Sequence, residues 1–145
     1  MFTARAKLGG KTMKVMVLGA TGFIGPAVVV ALAAQGHETI AVSRHALTAP
    51  AAPGVFQISL DRGDAAAVAA AARRLGVETV IDLLAMTLVT ARPLIEALAG
   101  HVGRYVLASS GDVYRQYGAI HRLEPVAEAI PSLREDAPLR TRLYP

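Results

Sequence analysis

Between Gly19 and Gly25 the chain reads Gly-Ala-Thr-Gly-Phe-Ile-Gly, directly after the apolar run Lys14 to Leu18 and directly before a helix-forming stretch. A strand, a glycine-rich turn and a helix in that order open a parallel α/β sheet, and the same order suits a dinucleotide pyrophosphate. Gly19 allows the tight turn out of the strand, and Gly22 lets the backbone come close to phosphates. Gly25 lets the helix lie against the sheet. The N–H groups of the first helical turn then face an anion, helped by the positive end of the helix dipole. Thr21 is the expected N-cap, and Phe23 and Ile24 complete the expected binding turn. Pro26 falls in the first turn, where a missing N–H is tolerated. A glycine-rich turn with no ligand is the other reading of these residues.

The rest of the chain is consistent with one domain of this kind. Its 145 residues suffice for a core, and 53% of them are hydrophobic. The longest uninterrupted apolar run, Phe23 to Ala34, is too short to span a bilayer and contains Gly25 and Pro26, so no membrane association is expected. Strands buried on both faces account for the mean hydropathy of +0.42 instead. Cysteine is absent, which excludes disulfides and thiolate metal sites and accords with a cytoplasmic location. His37, His45, His101 and His121 lack metal-ligand spacing, so no metal is expected. The net charge of +4 is carried by scattered basic residues with few aromatics, which argues against a nucleic-acid partner. Residues 1–12 are basic, lack the apolar stretch of a signal peptide and are expected to be a leader, with Met13 offering a second translation start.

Phe23 to Gln35 reads as the first helix, closed by Gly36. Thr39 to Ser43 is the second strand, residues 46–54 a loop or a weak short helix, and Val55 to Leu60 the third strand. Asp64 to Leu75 is an Ala-rich helix ended by Gly76, and Val77 to Leu84 is the fourth strand. A helical stretch follows from about Thr87 to Ala99, in which Pro93 predicts a kink or a late start. Arg104 to Ala108 is the fifth strand. This alternation predicts a Rossmann-like doubly wound parallel sheet over residues 13–121, of strand order 3-2-1-4-5 and truncated after the fifth strand. Its ligand is expected outside the C-terminal strand ends, where that order reverses. Periodicity is lost from Gly111. Residues 122–145 hold four prolines and read as an irregular connecting segment or a disordered tail.

The spacing G-x-x-G-x-x-G, with the residues Ala-Thr-Gly-Phe-Ile-Gly themselves, resembles the NAD(P)-dependent epimerase/dehydratase family, the extended short-chain dehydrogenases/reductases. A second match is Tyr105-Val-Leu-Ala-Ser-Ser-Gly-Asp-Val-Tyr114, similar to that family's strand end of paired Ser/Thr followed by Val-Tyr. The resemblance implies that Ser110 is the catalytic hydroxyl, hydrogen-bonded to a substrate hydroxyl or carbonyl oxygen, with Ser109 nearer the nicotinamide. Asp112 stands where some dehydratase members carry an acid. The resemblance also implies that Asp61 accepts from the adenine amino group with Arg62 beside it, whereas Asp64 reads as a helix N-cap. Leu83, Leu84 and Ala85 correspond to the strand edge that brushes the cofactor. Members usually have a smaller residue at the position of Leu84, and Asp82 is atypical. Ordinary turn chemistry is the alternative for Asp61 and for the serine pair.

At the end of the second strand stand Ser43 and Arg44, with no acid to hydrogen-bond an adenosine ribose. Arg44 suits a 2′-phosphate, which favours NADP slightly over NAD; an exposed arginine at a strand end is the plain alternative. The family's acid–base pair, Tyr-x-x-x-Lys, is absent from the sequence, and Leu133 to Arg140 resembles the segment that precedes it. The expectation is therefore the N-terminal part of an enzyme acting on a nucleotide sugar or related hydroxy/keto substrate, inactive alone and binding that substrate in a full-length form. A non-catalytic dinucleotide-binding sensor or interaction module is the alternative. An S-adenosylmethionine methyltransferase fits less well, because the second strand does not end on an acid. The free edge of the fifth strand invites pairing with another chain, including a homo-oligomer.

Overall fold

The computed structural model describes residues 11–45, 53–122 and 134–141. Most of the expected leader, of the loop after the second strand and of the C-terminal segment lies outside these residues. The chain forms two compact units, one reaching to Ala108 and the other starting at Ser109.

The first unit is a sheet of five parallel strands: β1 (Lys14–Leu18), β2 (Glu38–Ser43), β3 (Val55–Ser59), β4 (Thr79–Asp82) and β5 (Arg104–Leu107). Their order is β3-β2-β1-β4-β5, as the sequence predicts. β1 lies at the centre, with Val15 beside Thr39 of β2 and Thr79 of β4, and Leu18 beside Val42 and Asp82. Side chains alternate faces along a strand, so β1 feeds two cores. Met16 and Leu18 join Ile40, Val42 and Val80 on one face, under α2 (Ala65–Leu75) and α3 (Leu88–Leu98). Val15 and Val17 join Ala41 and Val55 on the other, under Val28, Val29 and Leu32 of α1 (Gly25–Ala34). Burial on both faces is why these strands are apolar without alternation. Each fully buried aliphatic side chain contributes roughly 1.5–3 kcal/mol.

The helix ends follow from local chemistry. At the end of α1, His37 N–H donates to Leu32 O and Gly36 N–H to Ala33 O, with Gly36 at φ +85°. This is a Schellman closure, and the left-handed residue it needs is the glycine. Asp64 caps α2 by accepting from Ala67 N–H at 2.9 Å, as expected. Thr87 and Thr90 cap α3 reciprocally, so the helix starts well before Pro93 and runs through it. The carbonyl of Val89 loses its intrahelical donor there, and both residues are exposed enough for water to replace it. No helix among the described residues is long and apolar enough to cross a membrane.

The second unit holds a 3-10 turn (Gly111–Val113) and α4 (Arg115–Ile120), where the sequence shows no periodic element. A helix of six residues is too short to display an amphipathic period. Residues near Arg140 fold back on it: Tyr114 bridges Leu139 antiparallel, Arg140 N–H donates to Val113 O and Arg115 N–H to Pro138 O, both at 2.9 Å. Asp112 lies within 3.4 Å of both Arg140 and His121, so in this unit it anchors the fold-back.

Candidate functional site

The glycine turn sits at the C-terminal end of the central strand. Gly19 and Ala20 donate their N–H groups to Val42 O of β2, at 3.1 and 3.2 Å, and Gly22 N–H donates to Gly19 O at 3.0 Å. Gly19 has φ +90°, and a Cβ there would come within 2.9 Å of Leu84 Cγ. A Cβ on Gly25 would stand 2.2 Å from Gly19 O, so the helix can start this close to the strand only without a side chain. Gly22 is exposed, and a Cβ on it would meet only Gly19 O. Its outer side is therefore bare backbone, open to an incoming group.

The N-terminus of α1 is bare as well. Its N-cap is Ile24, which supplies no side-chain hydrogen bond, and the first turn contains no acid. The expected cap, Thr21, lies in the exposed turn three residues before Ile24, which corrects that assignment. The chain needs those residues to bring Gly25 against Gly19, so the helix starts later than a Thr21 cap requires. Pro26 lies in the first turn as expected. First-turn N–H groups have no carbonyl one turn back, and no side chain of α1 covers them. Uncapped donors, a positive dipole end and bare backbone at Gly22 suit a diphosphate.

Around this turn converge the ends of the neighbouring strands. Beyond Val42, the Ser43 hydroxyl donates to His45 O, Ser59 donates to Arg44 O at 3.1 Å, and the Arg44 side chain is exposed. At the end of β3, exposed Asp61 accepts from Gly63 N–H at 2.8 Å through Oδ1. At the end of β4, Leu83 packs into the core beneath α1, Leu84 lies over Gly19, and Ala85 is half-buried. Ser109 and Ser110 belong to the second unit. There Ser110 caps the 3-10 turn, its oxygen accepting from Asp112 N–H at 3.2 Å, which leaves the hydroxyl proton free to be donated elsewhere.

Arg62 does not stand outward beside Asp61. Its Nε and terminal nitrogen donate to Asp82 Oδ2 at 3.0 and 2.6 Å, and a further N–H donates to Thr90 O. Asp82 is fully buried. Its Oδ2 also accepts from the Tyr105 hydroxyl, and its Oδ1 accepts from Leu84 N–H at 2.9 Å and Ala85 N–H at 3.3 Å. Burial alone would raise the Asp82 pKa, but the hydrogen bonds from Arg62, Tyr105 and the Leu84 N–H outweigh it and hold the carboxyl below its usual range. Burial and the same carboxylate push the Tyr105 phenol up to about 12, so it is a neutral donor at ordinary pH. Sequence reasoning missed this cluster. The signal was there in Asp82 itself, an acid in an otherwise apolar buried strand, which requires a cation nearby.

Among the described residues no group of three or more His, Cys, Asp or Glu side chains could hold a metal ion. A family model described as the NAD dependent epimerase/dehydratase family matches residues 15–135. Among solved structures, MoeE5 in complex with UDP-glucuronic acid and NAD is 26% identical, with 88% of this chain and 42% of that chain covered and a TM-score of 0.65. A mutated uronate dehydrogenase is also 26% identical, over 72% of this chain and 42% of its own, with a TM-score of 0.60. The Bordetella bronchiseptica enzyme WbmH in complex with NAD+ shares the fold at 18% identity, over 90% of this chain and 47% of its own, with a TM-score of 0.65. The chain thus spans less than half the length of each of these proteins. No curated protein matches it. With the glycine turn, the strand order and a family match over most of its length in agreement, the chain belongs to the NAD dependent epimerase/dehydratase family.

Proposed function

We propose that this chain binds a nicotinamide dinucleotide along the C-terminal edge of its sheet, as the cofactor-binding part of an epimerase, dehydratase or reductase. The observation that carries this reading is the uncapped first turn of α1 behind a glycine turn that has no side chain at Gly22. In the proposed arrangement Gly19 to Gly25 receive the pyrophosphate, with Thr21, Phe23 and Ile24 along the turn. Exposed Asp61 accepts from the adenine amino group, and Leu83, Leu84 and Ala85 lie along the cofactor. Arg44, exposed beyond β2, meets the adenosine ribose and favours NADP over NAD through a charge-assisted pair with its 2′-phosphate. The neighbours WbmH and MoeE5 are in complex with NAD, which makes this preference the point to measure.

A nicotinamide held there would supply hydride transfer to or from a substrate carbinol or carbonyl carbon. The part we assign to Ser110 is to donate its hydroxyl proton to the substrate oxygen and hold it in line, with Ser109 beside the nicotinamide. The substrate we assign is a nucleotide sugar or a related hydroxy/keto compound, in keeping with the UDP-glucuronic acid complex of the neighbour MoeE5. We place the protein in the cytoplasm and expect it to pair with other copies through the edge of β5.

Fluorescence titration of the chain with NADH and NADPH tests the reading. Saturable binding is expected, tighter for NADPH, and lost on Gly22→Val, which fills the open side of the turn. Binding of neither dinucleotide would contradict it. Binding without any turnover, in a longer natural form that carries a Tyr-x-x-x-Lys pair, would favour a non-catalytic binding module instead.

A further inference from the structure

We propose that Asp82 is a positioning residue for the dinucleotide cleft, tying the Leu83–Ala85 loop and the Asp61–Gly63 turn into one rigid unit. This inference rests on the dinucleotide-binding reading. An acid that takes its place in an apolar strand between Ile81 and Leu83, with no exposure at all, is costly to bury unless fully partnered. A well-packed apolar residue commonly serves stability as well as such a pair does, so geometry is the better account of its presence.

The two oxygens of Asp82 serve different loops. Oδ1 accepts from the N–H groups of Leu84 and Ala85, fixing the loop that lays Leu84 against Gly19. Oδ2 accepts from Arg62, whose chain neighbours Asp61 and Gly63 close the turn at the end of β3. Arg62 also donates to Thr90 O in the first turn of α3, and Tyr105 extends the tie to β5. One carboxylate thus joins the loop over the glycine turn to the turn expected beneath adenine. Arg62 then acts on the cofactor only through Asp82. That replaces the direct adenine-side contact expected from sequence.

The test measures NADH and NADPH dissociation constants on the full chain, at a temperature where circular dichroism shows each variant folded. Affinity of the folded population does not follow global stability, so a purely structural role would leave it unchanged. Asp82→Asn and Arg62→Gln are each expected to weaken binding about tenfold, and the double variant no further than the weaker single, because both remove one tie. Losses that multiply would mean that Arg62 touches the cofactor independently, and would overturn the proposal. Wild-type affinity in folded Asp82→Asn would overturn it as well. If Asp82→Asn does not fold, Tyr105→Phe decides: binding about threefold weaker is expected, and unchanged affinity overturns the proposal. A wild-type chain that binds neither dinucleotide removes the underlying reading, and this proposal with it, before any variant is made.

Discussion

α1 and α2 both start at the C-terminal edge of the sheet, and they treat their first turns in opposite ways. α2 is closed by its own residues: Asp64 accepts from Ala67 N–H, and Asp61 accepts from Gly63 N–H just before it. α1 starts on Ile24 with no capping side chain and no acid in its first turn, and Phe23 beside it is fully exposed. α2 is capped from within the chain, whereas no side chain caps α1. Uncapped first-turn N–H groups are what an anion can satisfy, and the proposed pyrophosphate site rests on this contrast.

The comparison can be broken at several points. The largest effect is expected from Gly25→Val. The added atoms collide with Gly19 O at 2.2 Å and with the Ala20 backbone, neither of which can move aside. A loss of at least about 4 kcal/mol, or failure to fold, is expected in urea denaturation; a mild effect would mean that α1 need not lie this close to β1.

Next in size is the Asp82 cluster beside the turn. Asp82→Asn leaves Arg62 without its charge partner, 12% exposed, and is expected to lower stability by about 3 kcal/mol at neutral pH. The same group predicts a pH dependence. Its carboxyl is held below the ordinary 3.8, so in acid the unfolded chain takes up the proton first. The stability Asp82 contributes is therefore full above about pH 5 and is lost as pH falls through its folded-state pKa. Asp82→Asn should flatten that acid slope, leaving the smaller part due to half-buried Glu78, which hydrogen bonds from Lys11 and the Lys14 N–H also hold low. Thermal melts from pH 6 to pH 2.5 read this, and an unchanged slope would contradict the pairing. The smallest effect is expected from Asp64→Ala, about 1 kcal/mol from the lost cap, with dinucleotide affinity unchanged because the Asp64 carboxylate is engaged by Ala67 N–H and has no part assigned in the cofactor site.

Much of this was legible in the residues. β1 reads directly because four consecutive residues, Val15 to Leu18, serve two cores, and Asp64 reads as a cap because an acid stands immediately before an Ala-rich run. The three glycines are legible for the same reason: each position excludes or discourages a side chain. Thr21 was misread, since capping preference is a local rule and the start of α1 is set by its approach to Gly19. The pairing of Arg62 with Asp82 was not legible, because Asp82 lies 20 residues away on β4 and only the fold brings them together. α4 escaped notice because it is held by the fold-back near Arg140 and not by a periodic face.

The most direct test of the contrast between the two helices is to give α1 what α2 already has. Ile24→Asp places a carboxylate at an exposed N-cap position. A stability gain of up to about 0.5 kcal/mol is expected from the helix dipole, together with loss of NADH and NADPH binding by about tenfold or more, because the new charge repels the diphosphate. Unchanged dinucleotide affinity in that variant, with its fold intact, would contradict the claim that the open end of α1 is the pyrophosphate site.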